Sequence, residues 1–245
     1  MSPQANAEHL NFIWNAYCPF TCERDKTGQP GYAMEVVKAI FDNSKYKVEY
    51  TYALSWNRAM TQVENGEKDA IVFSFHGPES DHLYVIPKQS LAWENQTSFA
   101  VKKTSKWQFR DANSLKTLQY IGVYKGTVWI DKTIGKFEQD NINKFVYLAG
   151  DDIVKRAFDM LRRGRLDAWE DSQTLLNYHI YINGIEDLRI ETLVKPHSST
   201  GDLLFSGKNP KSKEYAAFFS AGMKQLRKSG KLKIILEKYG LKDWQ

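Results

Sequence analysis

Apolar and polar residues follow two different periods along the first half of the chain. Residues 10–14 and 69–74 are apolar runs, and residues 47–53 (KVEYTYA) alternate strictly, which is typical of β-strands. Between them, apolar residues recur at helical spacing in residues 33–41 and again after Ser55, a residue type that caps helix N-termini. Strands separated by helices in this order predict βαβ crossovers and a largely parallel sheet.

The second half of the chain repeats this alternation of strands and helices. Strands are predicted at residues 97–103, 120–123, 144–148, 167–169, 188–193 and 202–205. One helix is predicted to end near residue 137, a second runs from Asp151 or Asp152 to Gly164, and a third follows Asp171. Residues 211–239 predict a pair of amphipathic helices. Residues 76–93 show no clear period, and we expect a loop with a short helix there. The pattern predicts an α/β fold with two similar βαβ units.

One turn from a strand to a helix is a candidate binding element. The strand at residues 120–123 breaks at Lys125 and Gly126, and Thr127 is placed to cap a helix that begins near Val128. A helix N-terminus presents unpaired N–H groups and the positive end of the helix dipole, so it holds a carboxylate or a phosphate. The same pattern also occurs in ordinary strand-to-helix turns.

The composition of the chain narrows the class of protein. Its 245 residues are 42% hydrophobic and 13% aromatic, with 15 Gly and 7 Pro, which is typical of an ordered globular chain. The formal net charge of +5 is small, and the basic residues are scattered except near the C-terminus, so we expect no nucleic-acid partner. No apolar run approaches the roughly 18 residues of a transmembrane helix. The polar leader before the first strand looks like a chain trimmed at a signal-cleavage point.

Both cysteines, Cys18 and Cys22, lie in the segment CPFTC. In an extended chain, residues four apart lie about 13 Å from one another, whereas a disulfide needs roughly 4.4–6.8 Å between Cα atoms, so a bridge requires a turn. Pro19 can provide this turn, and two reduced thiols are the alternative. A metal site is disfavoured because the segment contains no further ligand.

Signatures of catalysis and metal binding are missing from the sequence. There is no Ser-His-Asp or Cys-His pattern, no HExxH, no P-loop and no GxGxxG. His76, Glu79, Asp81 and His82 are close together in HGPESDH, but side chains on a short loop diverge, so we interpret the segment as a solvated polar loop. The sequence predicts no metal, no cofactor and no catalytic residue.

Five segments of the chain occur in the order and spacing of a known protein family. They are AYCPF, PGYAMEVVKAI, ENGEKDAIV, IGVYKGTVW and RRGRLDAWEDS, and LRKSGKLKIILEKYG closes the chain. In that order they resemble AYPPF, GFDVDLAKAI, QSGKIDAII, VGVQKGTT, GRVDAVVAD and the closing helix of the family 3 periplasmic solute-binding proteins. The chain thus resembles these receptors of polar amino-acid ABC importers nearly end to end.

The resemblance implies a fold, a function and a location. The fold would be α/β and two-lobed, a Venus flytrap of type II with mostly parallel sheets and a hinge of crossing strands, and the ligand would lie between the lobes. Residues 1–101 and 198–245 would form one lobe and residues 102–197 the other. The implied function is a monomeric, exported, periplasmic receptor that delivers a small polar solute, an amino acid or a related compound, to the membrane permease of an ABC importer. Because export favours oxidation, we then expect a disulfide between Cys18 and Cys22.

In the first lobe, the resemblance gives four candidate ligand-binding residues. Tyr17 matches an aromatic residue that covers the ligand, and Trp56 falls near a second lining position. Either residue can instead belong to the hydrophobic core. Ser74 and His76 match a strand end that donates hydrogen bonds to a ligand amino group.

In the second lobe, the resemblance points to an anion site and a carboxylate. Gly126 and Thr127 match the anion-holding start of a helix. Asp171 matches the carboxylate that pairs with the ligand's α-ammonium. Because this region is slightly shorter than the family pattern, Glu170 or Ser172 can hold that role instead, and Asp171 can also be a simple helix cap.

One family residue is missing. Where amino-acid receptors have the Arg of TPER, which grips the ligand carboxylate, this chain has Ser80, or Asp81 in an ungapped alignment. The predicted site is therefore acidic and aromatic, which suits a cation or an uncharged polar ring better than a simple α-amino acid. The alternative is that Arg58 or another basic residue binds the carboxylate.

Two other functions are compatible with the same fold. Some relatives are dehydratases of cyclic acids, and in such an enzyme Glu79, Asp81 or Glu170 would act as acid or base. The chain could also be the sensor domain of a longer signalling receptor. We expect a non-catalytic receptor.

Overall fold

Two compact units make up the structure. The computed structural model describes residues 8–23, 28–42, 44–77, 81–95, 97–125, 127, 129, 131–149, 152–193 and 198–245. One unit contains Met1–Trp93 and Thr200–Gln245, and the other contains Glu94–Ser199. The chain therefore passes from the first unit to the second and back again.

Strands and helices alternate as the sequence pattern predicts. The strands are β1 (Glu8–Trp14), β2 (Tyr46–Tyr52), β3 (Ala70–Phe75), β4 (Tyr84–Val85), β5 (Ala92–Asn95), β6 (Ser98–Lys102), β7 (Ile121–Tyr124), β8 (Phe145–Leu148), β9 (Ala168–Asp171), β10 (Leu188–Thr192) and β11 (Ser198–Ser206). The helices are α1 (Tyr32–Phe41), α2 (Trp56–Glu64), α3 (Lys132–Asp140), α4 (Ile153–Arg162), α5 (Gln173–Ile182), α6 (Ser212–Lys228) and α7 (Lys231–Glu237). Short 3₁₀ helices lie at Asp81–Leu83, Ala112–Thr117 and Ile142–Lys144.

Each unit is built on a mixed sheet. The sheet of the first unit has the order β2-β1-β3-β11-β4, with β5 paired to β11, and that of the second has the order β10-β6-β9-β7-β8. The strands β1, β2 and β3 run parallel, as do β7, β8 and β9. β11 runs antiparallel to β3 and β4, and β6 runs antiparallel to β9 and β10. The prediction of mostly parallel sheets therefore holds for the βαβ parts. The strands β6 and β11, near the points where the chain crosses between the units, pair antiparallel.

Local chemistry explains where two helices of the first unit begin. Ser55 caps α2 as predicted, because its side chain accepts a hydrogen bond from the backbone N–H of Arg58. Gly31 precedes α1 with φ of 91°, and a Cβ at this position would lie 2.4 Å from the carbonyl oxygen of Phe20. Only glycine fits there, and this close approach holds the loop that contains Phe20 against α1.

The two faces of β9 pack into separate hydrophobic clusters of the second unit. Ala168 lies in a cluster with Phe99 and Phe145. Trp169 lies in the other cluster, with Phe158. Because side chains alternate along a strand, the two carboxylates that end β9 fall on opposite faces of the sheet.

The division into units differs from the predicted lobes at the first passage. The structure places this passage after Trp93, whereas the sequence predicted it near residue 101. The reason is β6, which pairs with β9 on one side and with β10 on the other and is therefore an interior strand of the second sheet. The return passage, after Ser199, lies close to the predicted residue 197.

The segment without a period contains the predicted short helix. This is the 3₁₀ helix Asp81–Leu83, and it is followed by the two-residue strand β4. In the described ranges of the chain, no helix combines the length and the apolar character needed to cross a membrane.

Candidate functional site

A pocket of about 250 Å³ lies in the first unit, at the carboxyl ends of β1 and β3. Its lining consists of Asn15, Tyr17, Trp56, Phe73, Ser74 and Phe75. Three of the predicted ligand-binding residues, Tyr17, Trp56 and Ser74, therefore surround one pocket. Ligands of open α/β sheets commonly bind at this end of the strands.

Hydrogen bonds fix the orientation of Trp56 in this pocket. Its indole Nε1 donates to Ser74 Oγ at 3.0 Å, and Ser74 Oγ donates in turn to the carbonyl oxygen of Phe75 at 2.8 Å. The Trp56 side chain is nevertheless 46% exposed, so it is not a plain core residue. An indole that is held at one edge and open on its face is well suited to pack against a planar or cationic group.

The disulfide loop positions Tyr17. Cys18 and Cys22 form a disulfide with a Cα separation of 4.6 Å, which confirms the predicted bridge. The turn closes where Tyr17 N donates to the Thr21 carbonyl oxygen at 2.6 Å. The Tyr17 ring stacks on Phe20 with a centroid distance of 5.2 Å. Tyr17 therefore belongs both to an aromatic stack and to the pocket wall.

His76 is held between two carboxylates and is not free to contact a ligand with both ring nitrogens. Nδ1 lies 2.5 Å from Asp81 Oδ1, and Nε2 lies 3.0 Å from Asp202 Oδ2. The hydrogen bonds to Asp202 and Asp81 raise the pKa of His76 above its ordinary value, against the opposing effect of burial. This favours an imidazolium that neutralises carboxylates of the chain itself.

The sequence reasoning missed Asp202. Its side chain is 1% exposed, and its Oδ1 has no hydrogen-bond partner among the described residues. The available signal was a single Asp inside the apolar segment GDLLFS, where a charge needs a partner. In the described part of the chain, no group of His, Cys, Asp and Glu residues is arranged to hold a metal ion.

Asp171 is a buried carboxylate at the end of β9 in the second unit. Its Oδ1 accepts from Ser172 N at 2.8 Å, and its Oδ2 accepts from the Tyr124 hydroxyl at 2.9 Å. Burial raises its pKa to about 7, although these hydrogen bonds act in the opposite direction. Ser172 caps α5 with its own hydroxyl, so Asp171 is not the side-chain cap of that helix.

Two further buried carboxylates lie near Asp171. Glu94 is fully buried, its Oε1 accepts from Thr174 N at 3.0 Å, and its Oε2 has no partner among the described residues. Burial and the neighbouring Asp171 raise its pKa to about 7. Glu170 lies on the opposite face of β9, and burial raises its pKa well above the ordinary value, with smaller contributions from Asp171 and Glu138. Within the described ranges, no lysine or arginine forms an ion pair with any of these three carboxylates.

The helix predicted to begin near Val128 begins later in the described chain; Val128 itself lies outside the described residues, and Trp129 is not helical. Helix α3 begins at Lys132, and its N-cap is Asp131, whose carboxylate accepts from Thr133 N at 2.8 Å. Both the backbone N–H and the hydroxyl of Thr127 instead donate to the carbonyl oxygen of Tyr124, at 3.2 and 2.9 Å. Thr127 therefore closes a turn after β7, and an acidic side chain occupies the helix start. Gly126 lies outside the described residues.

The structure describes only part of the segment that stands in place of the family's TPER. Ser80 and Glu79 lie outside the described residues, and Asp81 contacts His76. Arg58 is an exposed residue of α2 and is not part of the pocket lining. The described lining of this pocket thus contains no cationic side chain.

A comparison with protein-family models identifies one family. The family model described as bacterial extracellular solute-binding proteins, family 3, matches residues 12–242. No curated protein matches the chain significantly. The L-cystine solute receptor of Neisseria gonorrhoeae, in the unliganded open conformation, is 18% identical, with 96% of this chain and 93% of that chain covered and a TM-score of 0.71.

Other solved structures give similar scores. An amino acid ABC transporter substrate-binding protein from Streptococcus pneumoniae, bound to L-arginine, is 19% identical, with 94% of each chain covered and a TM-score of 0.66. An ancestral amino acid-binding protein, a precursor of cyclohexadienyl dehydratase, is 19% identical, with 94% of this chain and 95% of that chain covered and a TM-score of 0.65. At such identities the likeness shows the fold, and it confirms the predicted periplasmic-binding-protein-like class.

Proposed function

The chain belongs to the bacterial extracellular solute-binding proteins of family 3, and from this premise we propose that it captures a small polar solute in the periplasm and delivers it to the permease of an ABC importer. The solute is an amino acid or a related compound. The observation that carries this proposal is the pocket of the first unit, where Tyr17, Trp56 and Ser74 come together.

The pocket supports the binding of a flat or apolar part of the solute. Its volume of about 250 Å³ suits a small molecule, and most of its wall is aromatic. Trp56 offers an exposed indole face whose edge is fixed by Ser74. Fixing the ring before binding reduces the entropy that binding would otherwise cost.

Asp171 supports a positive charge on the solute. A buried carboxylate with a raised pKa is costly to ionise, and a cation placed beside it removes that cost. The described residues of the second unit supply no such cation. A ligand ammonium or guanidinium is therefore the natural counterion, and we assign this contact to Asp171, with Glu170 as the alternative.

We propose that the receptor is monomeric, exported and non-catalytic. The main alternative is a dehydratase on the same fold, and the raised pKa of Glu170 is the observation in its favour, because a neutral carboxylic acid can donate a proton. Incubation with prephenate or arogenate distinguishes the two. Formation of a dehydrated product would establish catalysis, and unchanged substrate supports the receptor.

Native mass spectrometry of the purified protein tests the proposal directly. We expect a retained small molecule that is released on unfolding, and the same compound should raise the melting temperature of ligand-stripped protein by mass action. Trp56→Ala and Asp171→Asn should abolish this rise. Trp93→Ala and Asp140→Asn are matched controls, because both side chains are exposed, and they should leave the rise intact. A rise that persists in both site variants would contradict the assigned site.

A further inference from the structure

The sheet of the second unit has two chemically different edges. At one edge β7 ends at Tyr124 and β9 ends at Asp171, next to the buried carboxylates. At the opposite edge β7, β8 and β9 begin and β6 ends at Lys102, which pairs with the first residue of β10. With strands of four residues, the two edges lie about 10 Å apart.

Cationic side chains collect on the segments that meet at this second edge. We define the basic edge by these residues: Lys102, Lys103, Lys106, Lys116, Lys144, Arg162, Arg163 and Arg165. All of them are exposed except Lys102 and Lys144, which are half-buried. The carboxylates on or next to the same segments are Asp111, Asp159, Asp167, Glu186 and Asp187, so the eight cations outnumber the five carboxylates.

Structural contacts engage Asp187 and one oxygen of Asp167, and several cations have no ionic partner among the described residues. Asp187 pairs with Arg162 through two hydrogen bonds of 2.8 and 2.9 Å. Asp167 Oδ2 accepts from the backbone N–H groups of Gln119 and Tyr120, at 2.7 and 2.9 Å. Among the described residues, no ion pair forms to Lys102, Lys103, Arg163 or Arg165.

A pocket of about 330 Å³ opens within the basic edge. Lys102, Thr104, Ser105, Trp107 and Thr117 contribute to its wall, so an ammonium group, hydroxyl groups and an indole face one space. The Lys102 ammonium lies close to Gly164, 3.7 Å from the point where a Cβ would stand. Asp167 also lines the pocket, but one of its oxygens is engaged by two backbone N–H groups. An ammonium with neighbouring hydroxyls suits a phosphate oxygen.

Two exposed apolar side chains lie on segments that lead into this edge of the sheet. Tyr120, directly before β7, is 41% exposed, and Ile142, at the start of the 3₁₀ helix before β8, is 52% exposed. Exposed apolar tips surrounded by Lys and Arg are typical of surfaces that lie in the headgroup region of a membrane. An acidic protein segment would use the cations, but it would gain less from Tyr120 and Ile142.

From this arrangement we propose that the basic edge docks onto the surface of a membrane that contains anionic phospholipids. Lipid phosphates contact Lys102, Arg163 and Arg165, and Tyr120 and Ile142 enter the headgroup layer. The docking surface contains none of the residues assigned to solute binding. The docking proposal therefore does not depend on the proposed solute function. Such docking would keep the protein close to a membrane while the edge with Asp171 remains available.

Vesicle co-sedimentation tests this proposal. We expect the full chain to bind vesicles of equal parts phosphatidylglycerol and phosphatidylcholine at low salt, to bind pure phosphatidylcholine vesicles much less, and to lose most binding at about 0.5 M salt, where charges are strongly screened. The triple variant Lys102→Glu, Arg163→Glu, Arg165→Glu should weaken binding at least about tenfold. The pair Tyr120→Ser, Ile142→Ser should also weaken it at unchanged charge.

A triple variant on the first unit provides the matched control. Lys224→Glu, Lys228→Glu, Lys242→Glu changes the net charge equally on exposed lysines of the other unit, and it should retain binding within about twofold. Equal losses in the two triple variants would show a net-charge effect and would overturn the proposal. So would the absence of binding to the anionic vesicles, or binding to polyglutamate as tight as to them, which would indicate an acidic protein partner. Unchanged melting temperatures confirm that each variant is folded.

Discussion

At the scale of single residues, Glu94 shows the consequence of burying a carboxylate without a cation. One of its oxygens caps the N-terminus of α5 through Thr174 N, and the other has no partner in the described part of the chain. Its pKa of about 7 means that folding favours the protonated form at acidic pH. A sequence cannot reveal this easily, because Glu94 stands in a short segment whose burial depends on contacts with residues far along the chain.

Replacing Glu94 by Gln should flatten the pH dependence of stability. Below about pH 4 both the folded and the unfolded chain carry the proton, and between about pH 4.5 and 7 only the folded chain retains it. The contribution of Glu94 to the free energy of unfolding therefore falls as pH rises through this window, by up to about 3 kcal/mol. The Gln side chain of the Glu94→Gln variant does not titrate, so the variant lacks this decrease in the free energy of unfolding.

Denaturant unfolding of the ligand-free protein at pH 4.5 and pH 8 measures the effect. The stability difference between wild type and Glu94→Gln should change between the two pH values, whereas the difference for the exposed control Asp140→Asn should not. A constant difference for Glu94→Gln would show that Glu94 does not titrate in this range.

At the scale of elements, the sequence predicted the strands and helices whose hydrophobic period is strong and whose ends are marked. The Ser55 cap and the run 69–74 are examples, because a side chain and an uninterrupted apolar segment decide them locally. The start of α3 was missed because two caps compete there. Thr127 turns its hydroxyl back to Tyr124, and Asp131 satisfies the helix instead. Local propensity alone does not decide between two nearby caps.

Removing the disulfide should loosen the loop that contains Tyr17. The bridge between Cys18 and Cys22 closes a very short loop, so we expect the double variant Cys18→Ser, Cys22→Ser to lose about 2 kcal/mol in the free energy of unfolding. Solute affinity should fall as well, since the loop places Tyr17 against Phe20 in the pocket wall. Denaturant unfolding of the two proteins measures the first effect, and reductant should destabilise only the wild type.

Thiol titration provides the direct check of the bridge. Denatured, unreduced protein from an oxidising compartment should contain no free thiol. Two free thiols in that material would contradict the disulfide.

At the scale of the whole molecule, periodicity predicted an α/β chain with two similar βαβ units, and the resemblance supplied the two-lobed fold and the bounds of its lobes. The bounds of the lobes remain a prediction, which rests on the order of the matching segments. The boundary after Trp93 and the antiparallel strand pairings could not be predicted, because long-range pairing assigns β6 and β11 to their sheets. The resemblance named Tyr17, Trp56 and Ser74, which line one pocket. It could not reveal the contact between His76 and Asp202, because that contact depends on the register between β3 and β11.

The last prediction concerns the charge of the solute, to which both units contribute observations. The described lining of the first pocket has no cation, and His76 is engaged by Asp81 and Asp202. Asp171 forms no ion pair with a described residue of the second unit. The described lining of the first pocket offers no cation for the carboxylate of an α-amino acid, whereas an amine would pair with Asp171. We therefore expect an amine without a carboxylate to bind more tightly than its parent amino acid.

Matched pairs of compounds decide between the two charge types. In a thermal-shift series on ligand-stripped protein, agmatine, cadaverine and tryptamine should be compared with L-arginine, L-lysine and L-tryptophan, which differ only by the carboxyl group. At about 100 times its dissociation constant, the preferred amine should raise the melting temperature by about 5–10 °C, and Asp171→Asn should remove the rise while Arg58→Ala leaves it unchanged. The opposite result, tight binding of the amino acids that depends on Arg58 and not on Asp171, would mean that Arg58 replaces the missing family arginine and that the solute is an ordinary amino acid.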